Sequence, residues 1–284
     1  MYPYKKGNGY RVRHFQHFKG ARKLRTKRWG FMRGLYNAAG SMLVNQVRLE
    51  NISNNLANIN TPGYKRSEVV AVTFPEILLY RTEKMAGSRK AVASPVGLAA
   101  ENIAVEETYL VNISGSLSTT GRELDLALQG PGFFAVETPQ GIRYTRDGHL
   151  QVNADGILVN FQGFPVLGDS GRITLRGEHP VIDGSGNIYE EGTWVDRLQI
   201  LTFVPENSLW KDEYNLLQAA EGAIPLRSED TQVLQGYLEE SNVDLMRQMT
   251  DLVKVRRSYE AAQKIFQTYD RLLSRAANEL GSLG

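Results

Sequence analysis

The sequence predicts an α+β fold: long N- and C-terminal helices pair as a coiled-coil-like assembly domain, with an all-β domain inserted between them. Three observations carry that expectation. An apolar seven-residue repeat runs through residues 241–280, a matching repeat occupies residues 35–59, and turn signals recur between them at the spacing of short strands.

The C-terminal repeat reads Leu245, Leu252, Tyr259, Phe266, Leu273 and Leu280, with Gln248, Val255, Ala262, Tyr269, Ala276 and Leu283 three residues after each. Alternating steps of three and four hold one narrow seam on one side of a helix. Neither Pro nor Gly interrupts residues 242–280. At about 1.5 Å per residue the helix would span roughly 60 Å. Ser241 with Asp244 reads as a capping box, and Gly281 as a stop.

The N-terminal repeat reads Leu35, Ala38, Met42, Asn45, Leu49, Ile52, Leu56 and Ile59, and Asn60-Thr61-Pro62-Gly63 ends it. Asn45 falls in the seam, where a buried amide sets register at some cost in stability. The opposite face carries Asn51, Asn54, Asn55 and Asn58, all weak helix formers. Two readings stay open: a helical hairpin packed on a globular core within one chain, or helices that pack against other copies.

Between the helices the pattern changes. Residues 64–80 show short alternation at Val70, Val72 and Phe74, while residues 81–104 read as an irregular linker or extended arm. From Thr108 the period becomes two. Asp147-Gly148, Asp155-Gly156, Gln162-Gly163, Asp169–Gly171 and Asp183–Gly186 mark turns. Strands are expected at 133–137, 142–145, 150–152, 157–159, 172–175, 187–189 and 198–204, in a compact sandwich or barrel. Residues 205–240 read as an irregular return. The expected division is a basic tail (1–31), a helical assembly domain (32–63 and 236–284), an arm (64–107) and a β domain (108–235).

The formal net charge of +2 conceals a split. Residues 1–31 hold ten Lys or Arg and no acid, interleaved with aromatics, leaving 23 basic and 31 acidic side chains in the rest, a net of −8. Basic residues among aromatics suit nucleic acid or an anionic membrane surface, so an adaptor acting through this tail is the alternative function. The tail is otherwise expected to be disordered or to lie upstream of a true start at Met32. It lacks the apolar core of a secretory signal. With no Cys, disulfide and thiolate chemistry are excluded.

Catalytic patterns are missing from the sequence. His14, His17, His149 and His179 form no HExxH or carboxylate–histidine cluster. The adjacent acids Glu106-Glu107, Glu190-Glu191 and Glu239-Glu240 point apart on a strand and read as solvated surface rather than a glycosidase pair. Gly130-Pro131-Gly132 leads into a strand rather than a helix N-terminus, so it is no phosphate loop. No catalytic, cofactor or metal residue is expected.

Three stretches together resemble one family, the bacterial flagellar rod and hook proteins. MRGLYNAAGSMLVNQVRLENISNNLANINTPGYKR (Met32 to Arg66) is similar to its N-terminal signature. LDLALQGPGFFAVETPQGIRYTRDGHLQVNADGILVNFQGFPVLG (Leu124 to Gly168) is similar to its β-domain motif, with Pro131 where Asp is common. GYLEESNVDLMRQMTDLVKVRRSYEAAQKIFQTYD (Gly236 to Asp270) is similar to its C-terminal signature. The length and the FPEILLYR segment (Phe74 to Arg81) look most like the FlgF- and FlgG-like rod proteins with their FlhO and FlhP relatives; residues 1–31 have no counterpart. The resemblance implies a structural subunit of the flagellar rod, outside the cytoplasmic membrane and exported by the type III apparatus without a cleaved signal peptide. Its partners would be copies of itself, neighbouring rod and hook subunits and that apparatus, with no small-molecule substrate or nucleic acid. The assembly contacts expected are Leu35, Met42, Asn45, Leu49, Ile52, Leu56, Ile59, Leu245, Leu252, Val255, Tyr259, Ala262, Phe266, Tyr269, Leu273 and Leu280.

Overall fold

The computed structural model describes residues 29–73, 76–84, 91–100, 103–177, 179–204, 209–212, 214, 216–228 and 230–281. The basic tail, apart from its last three residues, lies outside them. Helix α1 spans Trp29–Ala57 and helix α2 spans Leu245–Gly281, and among the described residues the regular elements between them are strands. The chain forms two compact units. One takes residues 54–68 and 109–245, the other residues 29–53, 69–108 and 246–281 so far as they are described.

The first unit is all-β apart from the end of α1. A six-stranded antiparallel sheet runs in the order Leu209–Lys211, Leu217–Ala219, Gly141–Thr145, Phe133–Thr138, Ile200–Val204, Ile224–Arg227. The two-residue period sorts its side chains. Phe134, Val136 and Ile200 join a core with Leu126, Leu150, Leu158 and Ile188. Phe133, Ala135, Tyr144 and Phe203 form a second cluster with Leu209 and Leu217. Among the described residues the six-stranded sheet does not close on itself, and the remaining strands of this unit pair in ladders of two or three that share its core. Turns this frequent leave many strands only two to four residues long.

Three of the expected turns share one device. Asn153, Asn160 and Asp183 each accept, through Oδ1, the amides two and four residues on, at 2.9–3.1 Å. The residue three on is Gly156, Gly163 or Gly186, with φ of 79–86°, where glycine is least strained. Asp147-Gly148 differs: Gly148 has no positive φ, and a Cβ there would lie 1.7 Å from the Leu126 carbonyl oxygen. Close approach, not turn type, requires that glycine. At Pro131, the carbonyl is held by the hydroxyls of Ser228 and Thr231.

Two sequence expectations change. Residues 205–240 are not an irregular return: strands Leu209–Lys211, Leu217–Ala219, Ile224–Arg227, Gln232–Gln235 and Tyr237–Glu239 lie there, the last two pairing with Leu126–Gln129 and Leu117–Thr119. They lack the Asp-Gly signals that mark turns at residues 147–148, 155–156 and 183–184. In the second unit, residues 81–104 include most of an antiparallel hairpin, Glu76–Lys84 with Ala91–Ala100. Its register shifts where Tyr80 faces Pro95, as expected of a residue with no amide to give. Small residues with weak strand preference obscured it.

Candidate assembly interface

The second unit carries most of the predicted seam. On α1, Ala38, Asn45 and Ile52 are buried, and Leu35, Met42 and Leu49 are half-buried. On α2, Gln248 and Ala262 are buried, Leu252, Val255, Tyr259 and Tyr269 half-buried. Phe266 and Leu273 remain 37% and 38% exposed. The Leu280 side chain lies outside the described residues. The covered stripe therefore follows the sequence spacing and opens toward its C-terminal end.

Two contacts tie the helices together. Asn45 Nδ2 donates to Ser258 Oγ at 3.0 Å, so the seam amide is satisfied. Gly34 lies against Tyr269, where a Cβ would stand 2.1 Å from the phenol oxygen. Both contacts are eleven residues apart on each helix, in opposite senses, so the helices pass antiparallel here. Gly34, Ala38, Ser41 and Ala262 are small enough to allow that approach.

Leu56, Ile59 and Leu245 fall in the first unit. The first two are half-buried, and Leu245 is 40% exposed. Around them the polar residues of the NNLANINTPGYKR stretch form a clasp. Asn55, on the face opposite the seam, is buried. Its amide donates to the Ser67 carbonyl at 2.9 Å and accepts from the Ser67 amide and Tyr64 hydroxyl at 3.0 Å. Gly63, at φ 64°, donates its amide to the Glu239 carbonyl at 2.7 Å.

Glu239 is the hub. Lys65 Nζ and Arg146 Nε each approach one of its oxygens at 2.5 Å, and the Gly115 amide donates at 2.8 Å. Arg146 spends its other donors on the carbonyls of Leu128, Gly130 and Gly132. Burial alone would push the Glu239 carboxyl up. The Arg146 charge and the Lys65 hydrogen bond outweigh it, and the net direction is down. Strand alternation turns Glu239 inward and Glu240 out, so the pair is not simply solvated surface.

Asn242 completes the clasp. Its side chain donates to the carbonyls of Val111 and Ile113 at 2.8 and 2.9 Å and accepts the Arg66 amide at 2.7 Å. These bonds tie down Asn242 ahead of the helix, and α2 starts at Leu245 with Asp244 in the N-cap position. Ser241 Oγ accepts the Val243 amide at 3.4 Å, and the helix begins four residues beyond Ser241 rather than directly after it. The signal for this cluster was the run Tyr64-Lys65-Arg66 beside a turn, but its partners lie up to 174 positions away.

Among the described residues no group of His, Asp and Glu is placed to hold a metal ion, and no helix is long and apolar enough to cross a membrane. Three family descriptions match in chain order. They are "Flagella basal body rod protein" at residues 35–65, "Flagellar hook protein FlgE/F/G D1 domain" at 127–191, and "Flagellar basal body rod FlgEFG protein C-terminal" at 234–280. The chain is 35% identical over 269 residues to a flagellar basal-body rod protein FlgG of Agrobacterium fabrum, covering 88% of this chain and all of that one. It is 32% identical to FlgF of Caulobacter vibrioides, with 88% and 98% covered. To the hook-basal body complex protein FlhO of Bacillus subtilis it is 31% identical, with 89% and 100% covered. The stretches matched include both helices and the clasp between Lys65, Arg146 and Glu239, and the chain belongs to the flagellar basal-body rod protein family.

Proposed function

We propose that this chain is a structural axial subunit of the flagellar rod, and that it polymerises through residues 32–63 and 236–284 with copies of itself and with neighbouring rod and hook subunits. The supporting observation is the incompletely covered seam of α2. Its apolar repeat continues through Phe266 and Leu273, yet both stay more than a third exposed. On the other sides of the helices Tyr36, Leu43, Met246 and Val253 are half or more exposed. Side chains left this open give little return for the entropy of ordering a helix of 37 residues. Contacts with neighbours supply the missing burial, and a heterologous, non-closing contact grows into a helical filament. The helices are accordingly the part that orders on assembly, and the β domain at 108–235 is the self-sufficient part. Incompletely ordered ends also suit passage through a narrow type III export channel, which would place the subunit outside the cytoplasmic membrane without a cleaved signal peptide. The role is mechanical rather than catalytic. Replacing Leu252 or Phe266 with Asp puts a charge into the seam. Incorporation into basal bodies and motility are expected to be lost while the β domain still folds. Normal motility in both variants would defeat the assignment.

A further inference from the structure

Residues 109–245 hold 20 acidic side chains against seven Arg and one Lys, a net of −12. That lysine, Lys211, is the only one between Lys90 and Lys254. Arg143, Arg146, Arg172 and Arg227 each bond a carboxylate of this stretch. Lys211 does not. Its Nζ is shut off from solvent and has no hydrogen-bond acceptor among the described residues. It lies 3.3 Å from the centre of the Tyr64 ring and lines a cavity with the Thr61-Pro62-Gly63 turn, Asp147 and Gln162.

Among the described residues no carboxylate hydrogen-bonds it. Burial pushes the Tyr64 phenol up to about 12, so the ring is neutral and its hydroxyl is engaged with Asn55. Asp147 turns Oδ1 to the His149 amide. Asn160 and Gln162 bond each other, and Gln162 also donates to the Tyr214 carbonyl. Desolvation pushes the ammonium down to about 7. The ring face attracts a cation but does not replace a carboxylate. An apolar side chain of this length would cost the fold less, so this lysine destabilises the isolated subunit.

We propose that the cavity at Lys211 is a socket for a carboxylate side chain presented by a second copy of this chain, an inference that rests on the rod-subunit reading. The charge balance identifies the donor. Subunits stacked in a filament bring such acidic stretches together, and like charges repel. A recessed cation takes one carboxylate in one position once the residues lining the cavity yield to admit it, relieving the repulsion and fixing register. The incoming carboxylate also restores the charge that burial withholds from the amine.

The test uses the full-length protein and Lys211→Met. The variant's monomer is expected to melt higher than the wild type, while its critical concentration for filament growth rises about tenfold, the effect of one charged contact. Filaments grown from mixed ¹⁴N- and ¹⁵N-labelled subunits are then treated with a zero-length carbodiimide. A mixed-label isopeptide joining Lys211 to an Asp or Glu peptide is expected. An unchanged critical concentration, or Lys211 joined only to peptides of its own label, would overturn the proposal. So would saturation of Lys211 in the monomer by millimolar acetate with normal growth of the Met variant, which would assign the socket to a free carboxylate. If the wild type itself fails to polymerise, the rod-subunit reading fails instead, so the two failures are distinguishable.

Discussion

Around Glu239, two cations and a backbone amide converge on one carboxylate, and residues 54–68, 109–116 and 237–242 are stitched together by bonds of 3.3 Å or less. Along α2, the seam from Leu252 to Leu273 is half-covered at most positions and open at Phe266 and Leu273. The first region satisfies its polar groups from within one chain. The second has an apolar stripe that one chain does not finish. On the proposed reading, the difference separates what folds alone from what waits for a neighbour, and a subunit built into a shaft would need both.

The largest expected effect comes from breaking the complete region. Glu239→Ala leaves Lys65 and Arg146 buried without their carboxylate, and a loss of about 3–5 kcal/mol in urea unfolding is expected. A loss below about 1 kcal/mol would show that the clasp is incidental. Because the folded carboxyl lies below its ordinary value, its contribution is present above about pH 4.5 and is lost as pH falls through the folded value. Leu252→Asp makes the reverse comparison: unfolding of the β domain is expected to stay unchanged while assembly fails.

A smaller effect sharpens the first region further. Burial pushes the Asp147 carboxyl up to about 6, against the His149 amide bond, with Asp125 adding to the rise. Between about pH 4 and 6 the folded chain binds the extra proton, so stability falls as pH rises through that window. Asp147→Asn keeps an acceptor for the His149 amide and removes the charge. At pH 7 the variant is expected to be more stable by on the order of 1–3 kcal/mol, and its unfolding free energy should lack the decline between pH 4 and 6. Identical pH profiles for wild type and variant would contradict this.

The helices and their covered stripe were legible because a seven-residue period is local and a Pro-Gly pair follows shortly after α1 ends at Ala57. So were the turns at Asn153, Asn160 and Asp183, although the working residue is the acceptor three positions before each glycine. The clasp was not legible. Arg146 and Glu239 are 93 positions apart and Lys65 and Glu239 are 174 apart, and no period encodes such pairings. Asn55 looked like a weak helix former on the face away from the seam, whereas its value lies in bracketing Ser67. The strand Ala91–Ala100 was hidden because backbone pairing, not strand preference, forms it.

The most direct test is amide hydrogen exchange on the same protein as a dilute monomer and as assembled filament. Residues 109–245 are expected to exchange slowly in both states. Residues 35–53 and 246–280 are expected to exchange fast in the monomer and slowly in the filament, as helices that order on assembly must. Slow exchange of both helices in the monomer would contradict the account, and α1 and α2 would then be a self-contained hairpin that assembles as a preformed body.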